Sequence, residues 1–275
     1  MISCIICSRR PDISAELKEN IATNIGCEYE LIVIDNSRNE YSIFSAYNEG
    51  VRRAKGDILC FMHEDILYHT QGWGRLINDV FRDESIGLVG VIGSQFLPNK
   101  IASWWLCGAT KGQILQGYTN HKGHYSCSLD GEYVQQLTDM VVVDGLWFCM
   151  NRTLFPQVQF DKTTYNSYHC YDVDICMQVL NLGKRVVVIP DLLIEHHSLG
   201  NVTTSYYNQL QVFYDKWQAS LPIWRGIKIT ENDALWVSKI LDGYQTMVCR
   251  NVVLENSKAY RLGRWLLSPF KRLKR

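Results

Sequence analysis

No stretch of the 275-residue sequence is apolar for long enough to cross a bilayer. The longest apolar runs, such as Met140 to Val143 or Val186 to Pro190, fall far short of the roughly 18 to 20 residues that a spanning helix needs. Net charge is lacking too, because 28 Lys and Arg balance 28 Asp and Glu. Without a basic majority the chain has no electrostatic footprint for neutralising phosphates, so nucleic acid is not an expected partner. The opening Met1-Ile2-Ser3-Cys4-Ile5-Ile6-Cys7 has no basic n-region and runs into Ser8-Arg9-Arg10-Pro11, which does not fit a secretory signal. A cytoplasmic location is the expectation.

Several nucleotide and metal signatures are also missing. No G-x-G-x-x-G follows the first β-rich run, and there is no Walker A loop. Gly87, Gly90 and Gly93 recur in an apolar run without a strand-turn-helix context, so close backbone packing is their expected role. Of ten cysteines, Cys4 and Cys7 form a lone C-x-x-C with no second pair at zinc spacing. Cys4, Cys7, Cys60 and Cys149 lie in apolar runs, where a reduced thiol behaves as a small core hydrophobe. Internal repeats and low-complexity segments are absent.

What is present is the composition of a folded globular protein, 47% hydrophobic and 12% aromatic. Short β-rich runs alternate with helix-like stretches: Ile2 to Cys7 then Ile13 to Ile25, Tyr29 to Ile34 then Ser42 to Ala54, Asp57 to Met62 then Trp73 to Phe81, and Gly87 to Ile92. The alternation predicts an α/β fold with a mainly parallel central sheet flanked by helices. Ligands of such sheets bind beyond the carboxyl ends of the strands. Three of those ends are polar, at Ser8-Arg9-Arg10, Asp35-Asn36-Ser37 and His63-Glu64-Asp65. From Pro98 to Gln136 the sequence becomes Gly-, aromatic- and His-rich (Trp104, Trp105, Tyr118, His121, His124, Tyr125), as in an ordered functional loop or small antiparallel strands. Val134 to Val143 reads as one strand, Tyr171 to Leu182 as a helix stopped at Gly183, and Val186 to Ile189 as a strand. The remainder reads as helices over Ser205 to Ala219, Asn232 to Cys249 and Ser257 to Leu267. This divides the chain into a domain at 1–204 and a helical C-terminal extension at 205–275.

Three clusters carry candidate chemistry. His63-Glu64-Asp65 offers the oxygen donors that hard divalent cations take, although an exposed acidic loop has the same sequence. Asp172 and Asp174 open a helix, where acids also cap free N–H groups and oppose the dipole. Their neighbours Tyr165, Tyr168, His169 and Tyr171 exceed what a cap requires, and a carboxylate held among aromatics has its pKa raised towards that of a general base. His196 and His197 follow a strand, as surface or core filler or as a metal ligand with distant partners.

Taken in order, Ile2 to Arg9, Val33-Ile34-Asp35-Asn36-Ser37, Tyr47-Asn48-Glu49-Gly50, and Ala54 to Asp65 resemble glycosyltransferase family 2 with its GT-A fold. Val143 to Met150 resembles that family's acceptor-side strand. Tyr171 to Cys176, Gly183, and Val187-Val188-Ile189-Pro190-Asp191 through His196-His197 resemble its "ED" helix and closing strand. The likeness covers about residues 1–200 and is greatest to the branch found in surface-polysaccharide and aminoglycoside gene clusters.

The resemblance implies an inverting transferase that uses a nucleotide-sugar donor, with a UDP, GDP or dTDP leaving group. Ser8, Arg9, Asp35, Asn36, His63, Glu64 and Asp65 would form the donor side, with Asp35 on the base or ribose. Asp65 would hold Mg2+ or Mn2+, assisted by His196 or His197. Asp172 would be the catalytic base, with Asp174 close by. Trp104, Trp105, Gly145, Trp147 and His169 would face a saccharide or lipid-linked acceptor, core packing being the alternative for Trp147. Two positions depart from the family pattern: His63 stands first in the D-x-D-like element, and Tyr171 replaces the Glu of the "ED" pair. A sugar nucleotidyltransferase, or an inactive carbohydrate-binding or scaffold protein of the same fold, is the competing reading.

The zero net charge divides unevenly. Arg261, Arg264, Lys271, Arg272, Lys274 and Arg275 leave a body with 22 basic against 28 acidic residues. Interleaved with Leu262, Trp265, Leu266, Leu267, Phe270 and Leu273, they read either as an interfacial segment on anionic lipid or as a solvated, frayed terminus. The first reading places the protein at the inner face of the cytoplasmic membrane.

Overall fold

The structure is a computed structural model, which describes residues 1–119, 123–155, 157–198 and 204–258. The tail at 261–275, nearly all of the helix expected over Ser257 to Leu267, and His121 lie outside the described residues. The first half runs β1 (Ile2–Ser8), α1 (Ala15–Asn24), β2 (Tyr29–Asp35), α2 (Ile43–Arg53), β3 (Ile58–Met62), β4 (Ile66–Tyr68), α3 (Trp73–Val80), β5 (Ile86–Gly90), β6 (Ile92–Ser94) and β7 (Phe96–Leu97). The second half runs β8 (Thr110–Thr119), β9 (Tyr125–Glu132), β10 (Thr138–Met140), β11 (Val142–Val143), β12 (Trp147–Asn151), α4 (Tyr171–Asn181), β13 (Arg185–Val188), β14 (Ile194–His196), α5 (Thr204–Trp217), β15 (Ile223–Trp224) and α6 (Glu231–Asn256).

A seven-stranded sheet in the order β10-β13-β5-β12-β3-β1-β2 forms the centre. β1 is parallel to both β2 and β3, and β13 is parallel to β5. β12 lies antiparallel between β3 and β5, and β10 antiparallel on β13. The strands that share one direction therefore bring Ser8, Asp35 and Met62 to the same edge. β1, β3, β5 and β12 are apolar and buried nearly throughout, as strands covered on both faces must be. Helices begin at identifiable caps: Ser14 accepts from Leu17 N–H, Ser42 from Ser45 N–H, and Thr230 with Asp233 forms a capping box before α6.

A second sheet, in the order β11-β6-β8-β14-β4 with β9 on the outer side of β8, stands at the carboxyl edge of the first. The Pro98 to Gln136 region thus contributes a long antiparallel hairpin, with Gly112 opposite Glu132 and Thr119 opposite Tyr125. Two apolar runs that read as single strands, Gly87 to Ile92 and Val134 to Val143, each divide between the sheets, the first into β5 and β6 and the second into β10 and β11. The crossing segments pack closely: a Cβ on Gly90 would strike the Val143 side chain, and one on Gly93 the Val142 carbonyl. α5 buries Tyr206, Leu210, Phe213, Tyr214 and Trp217 in the same core as the sheet, although the division at 204/205 assigns it to the extension.

Candidate active site

The edge where β1, β2 and β3 end opens into a cavity of about 550 Å³ lined by Arg9, Asn36, His63, Glu64, Asp65, Tyr168 and Tyr171 among others. Each strand end supplies one wall. After β1, the Ser8 hydroxyl donates to Glu64 Oε2 at 2.5 Å and Arg9 Nε to Glu64 Oε1 at 2.9 Å. Burial raises the Glu64 carboxyl, but these hydrogen bonds outweigh it and hold the group below its usual range. Glu64 therefore stays ionised and anchors Arg9, whose side chain is 82% exposed at the cavity. After β2, Asn36 is buried and held by Tyr41 O and the Tyr168 hydroxyl, each at 2.9 Å. Asp35, the last residue of β2, is not among the lining residues; it is fully solvated and accepts from Ser37 N–H at 2.9 Å.

After β3, Asp65 meets two imidazoles. β14 pairs antiparallel with β4 so that His196 lies opposite Ile66, one residue beyond Asp65. His196 Nε2 is 3.6 Å and His63 Nδ1 3.9 Å from Asp65 Oδ1, and the two ring nitrogens are 3.4 Å apart. The ligand atoms of His63, Asp65 and His196 all lie within 4.8 Å of one another, close enough to share one cation. Burial first, and then His196, push the His63 imidazole down, which favours the neutral, ligating form. Burial raises Asp65, but Ser198 and the two histidines outweigh it and hold the carboxylate ionised.

This grouping differs from the sequence expectation for the metal ligands, Asp65 with His196 or His197. Asp65 and His196 come together, the third member of the cluster is His63, and His197 lies outside it. Successive residues of an extended strand point to opposite sides. His197 accordingly shares a side with Glu195, 3.4 Å from its carboxylate, and stacks edge-on against Tyr125.

The two acids of α4 diverge for an analogous reason, since residues two apart on a helix lie about 200° around its axis. Asp172 Oδ2 accepts from Gly145 N–H at 3.1 Å, and its carboxyl is pushed up to about 7, first by burial and then by Asp144. Asp174 instead is 1% exposed and accepts from the Tyr165 hydroxyl at 3.0 Å, Gln178 Nε2 at 2.7 Å, Lys216 Nζ at 2.8 Å and the Trp217 indole at 2.8 Å. Tyr165 precedes α4, Gln178 lies one turn further along it, and Lys216 and Trp217 belong to α5, so Asp174 packs these elements together rather than pairing with Asp172.

Among the expected acceptor residues, Trp147 is fully buried on β12, donating to the Tyr68 hydroxyl at 2.8 Å and packed edge-on against Trp73. It is a core residue, because β12 lies between two strands with both faces covered. Gly145 contributes its N–H to Asp172. Trp104, Trp105 and Asp172 line a small cavity with Tyr206, against which Trp105 is stacked at 5.4 Å and His169 lies edge-on at 5.4 Å. Trp105 is 41% exposed, and Trp104 is buried. A wider recess of about 480 Å³ continues past the two tryptophans to Asp130 and Glu132. Tyr206 and Ser198 are missing from the residues expected from sequence. Tyr206 sits on a helix whose apolar stripe conceals it, and Ser198 follows the paired histidines without a motif of its own.

A mixed sheet with a carboxylate and two imidazoles at its carboxyl edge, and a half-buried acid in the first turn of α4, has the architecture of the GT-A class. The chain belongs to the glycosyltransferase-like family, whose model matches residues 1–218. Among solved structures it is similar in fold to GalNAc-T7, determined with UDP, GalNAc and Mn2+, at 10% identity and a TM-score of 0.51, covering 94% of this chain and 58% of that one. It is also similar to TarS of S. aureus in complex with UDP-GlcNAc, at 11% identity and a TM-score of 0.50, covering 87% and 71% of the two chains. This chain thus spans little more than half the length of GalNAc-T7. No curated protein matches it by sequence.

Proposed function

We propose that this chain is a metal-dependent, inverting glycosyltransferase that moves a sugar from a nucleotide-sugar donor to a hydroxyl of a saccharide or lipid-linked acceptor. The observation that carries the reading is the juxtaposition of His63, Asp65 and His196 with Arg9 at one cavity. Two imidazoles and a carboxylate suit a divalent ion of intermediate hardness, Mn2+ more readily than Mg2+. A bound cation would neutralise charge on the diphosphate as it leaves. Arg9, fixed by Glu64, presents a second positive group to the same phosphates. Asn36 and Tyr168 form the wall for the nucleoside, with Asp35 next to Asn36 at the exposed end of β2. UDP-sugars are the first donors to test, since the two fold neighbours were solved with UDP or UDP-GlcNAc.

Asp172 serves as the base in this reading. An alcohol is a weak nucleophile at neutral pH, and a carboxyl that titrates near 7 is matched to removing its proton as the oxygen attacks the anomeric carbon. Attack from the face opposite the nucleotide inverts the configuration in one displacement. Trp105, Tyr206 and His169 line the approach for the acceptor.

The proposal extends to surface-polysaccharide synthesis at the inner face of the cytoplasmic membrane. No described helix is long and apolar enough to cross a membrane. α6 nevertheless exposes Trp236, Ile240, Tyr244, Met247 and Leu254, and it leads to the basic residues at 261–275. Its inner face receives Asn99 N–H at Ser238 and Ser103 N–H at Gln245, so the segment carrying Trp104 and Trp105 is tied to this helix. That connection suits a lipid-linked acceptor.

Thermal shift with UDP-sugars, with and without Mn2+, followed by donor-dependent UDP release, tests the function. Asp65→Ala should lose the Mn2+-dependent shift and the release, and His197→Ala should retain both. Stabilisation by nucleotide sugar that ignores Mn2+ and survives Asp65→Ala would overturn the metal reading.

A further inference from the structure

The two positions at which the chain departs from the family pattern, His63 and Tyr171, are in contact. His63 Nε2 lies 2.8 Å from the Tyr171 hydroxyl oxygen, and that oxygen lies 3.0 Å from the carbonyl of Gly145. A carbonyl can only accept, so the single phenolic proton is committed to Gly145. The hydroxyl then has only lone pairs to offer His63, which must carry its proton on Nε2. A neutral imidazole protonated on Nε2 has a bare Nδ1, the nitrogen that faces His196 and Asp65.

We propose that Tyr171 is a positioning residue for the metal centre: by passing a hydrogen bond from His63 Nε2–H to the Gly145 carbonyl, it holds His63 as the tautomer whose Nδ1 can ligate. The inference rests on the reading of His63, Asp65 and His196 as a metal site and extends it one shell outward. Partners of this kind fix the ring orientation and basicity of a metal-ligating histidine. Tyr171 is itself held rigidly, because its ring is buried and packed edge-on against Phe44 and Tyr47. Gly145 belongs to the same device, since a Cβ there would collide with the Tyr171 hydroxyl. The loss of the family's Glu at position 171 is thereby linked to the gain of His at position 63: an imidazole ligand needs its distal nitrogen oriented, and a carboxylate at 63 would not.

Two measurements test this. Long-range 1H–15N spectra of the metal-free protein should show His63 protonated on Nε2, and Tyr171→Phe should give a mixture of tautomers. Mn2+ titration, read by EPR of the free ion, should show Tyr171→Phe binding about 10- to 100-fold more weakly than wild type. Gly145→Ala should weaken binding through the displaced hydroxyl. In a His63→Ala background, Tyr171→Phe should cause no further loss. A wild-type His63 protonated on Nδ1 overturns the proposal, and so does wild-type Mn2+ affinity in a folded Tyr171→Phe variant. A wild-type protein that binds no Mn2+ overturns the metal reading itself, and the positioning role with it.

Discussion

Asp172→Asn separates two statements about one residue, that its carboxyl is raised and that it acts as the base. Asparagine keeps an oxygen to accept from Gly145 N–H, so the contact that places the side chain survives while titration is lost. The wild-type carboxyl titrates at about 7, against roughly 3.9 in an unfolded chain. Between those values the native state retains a proton that the unfolded state has released, so this group lowers stability as pH rises through the window and adds no further loss above it. Three pH units correspond to about 4 kcal/mol at ~1.36 kcal/mol per unit. Solvent contact at a half-buried side chain screens part of this, leaving about 2 kcal/mol as the change to look for. Urea unfolding at about pH 5 and about pH 8 reads the upper two-thirds of this window: relative to wild type, Asp172→Asn should gain about 1.3 kcal/mol of stability at the higher pH. The kinetic counterpart is a kcat/KM that rises with pH to a plateau above about 7, and a loss of about 10²- to 10⁴-fold in the variant. A stability difference constant across the two pH values refutes the raised carboxyl. A pH-dependent difference accompanied by full turnover of Asp172→Asn leaves the carboxyl raised and refutes its role as base.

The two tryptophan sites should respond in opposite ways. Trp147→Phe removes buried volume and the partner of the Tyr68 hydroxyl, lowering stability by about 1 to 3 kcal/mol without changing acceptor KM. Trp105→Ala should leave the melting temperature near that of wild type and raise the KM for a saccharide acceptor about three- to tenfold; a reversal of the two phenotypes would refute the acceptor assignment. At the membrane, each basic residue contributes about 1 kcal/mol on an anionic surface, so deleting residues 261–275 should remove most sedimentation with phosphatidylserine vesicles while leaving UDP-sugar binding intact. Trp236→Ser combined with Met247→Ser should weaken what remains, and equal binding of the full-length chain to neutral vesicles would refute the electrostatic part.

The features legible in the sequence and those that were not differ in the distance over which their physical cause acts. Alternation of β-rich and helical runs is local, and it locates β1, α1, β2, α2, β3 and α3 within a few residues of their observed bounds. The polar strand ends follow from it, because a parallel sheet brings its carboxyl ends to one edge. Sheet switching is not local. Val91 and Val141 are as apolar and buried as the strands they separate, so composition shows continuous runs where the chain passes from one sheet to the other. Pairing register is equally hidden, since β4 has only Ile66 to Tyr68, too few residues for a period, and yet its pairing with β14 sets His196 beside Asp65.

Side-chain parity occupies an intermediate place, and it decided the site residues. On β14, Ile194 and His196 share one side while Glu195 and His197 share the other, so the apolar Ile194 was a usable signal for which histidine turns inward. On α4, Asp174 follows Asp172 by two residues and must leave its face, a result that 3.6 residues per turn supplies without a structure. Neither rule reaches His63. Its part in the metal cluster depends on a tyrosine 108 positions later in the chain. Viewed singly, a histidine for an acid and a tyrosine for an acid each suggest a weakened site. In contact they exchange a carboxylate ligand for an oriented imidazole, which keeps three donors at the cavity and changes the metals it should prefer.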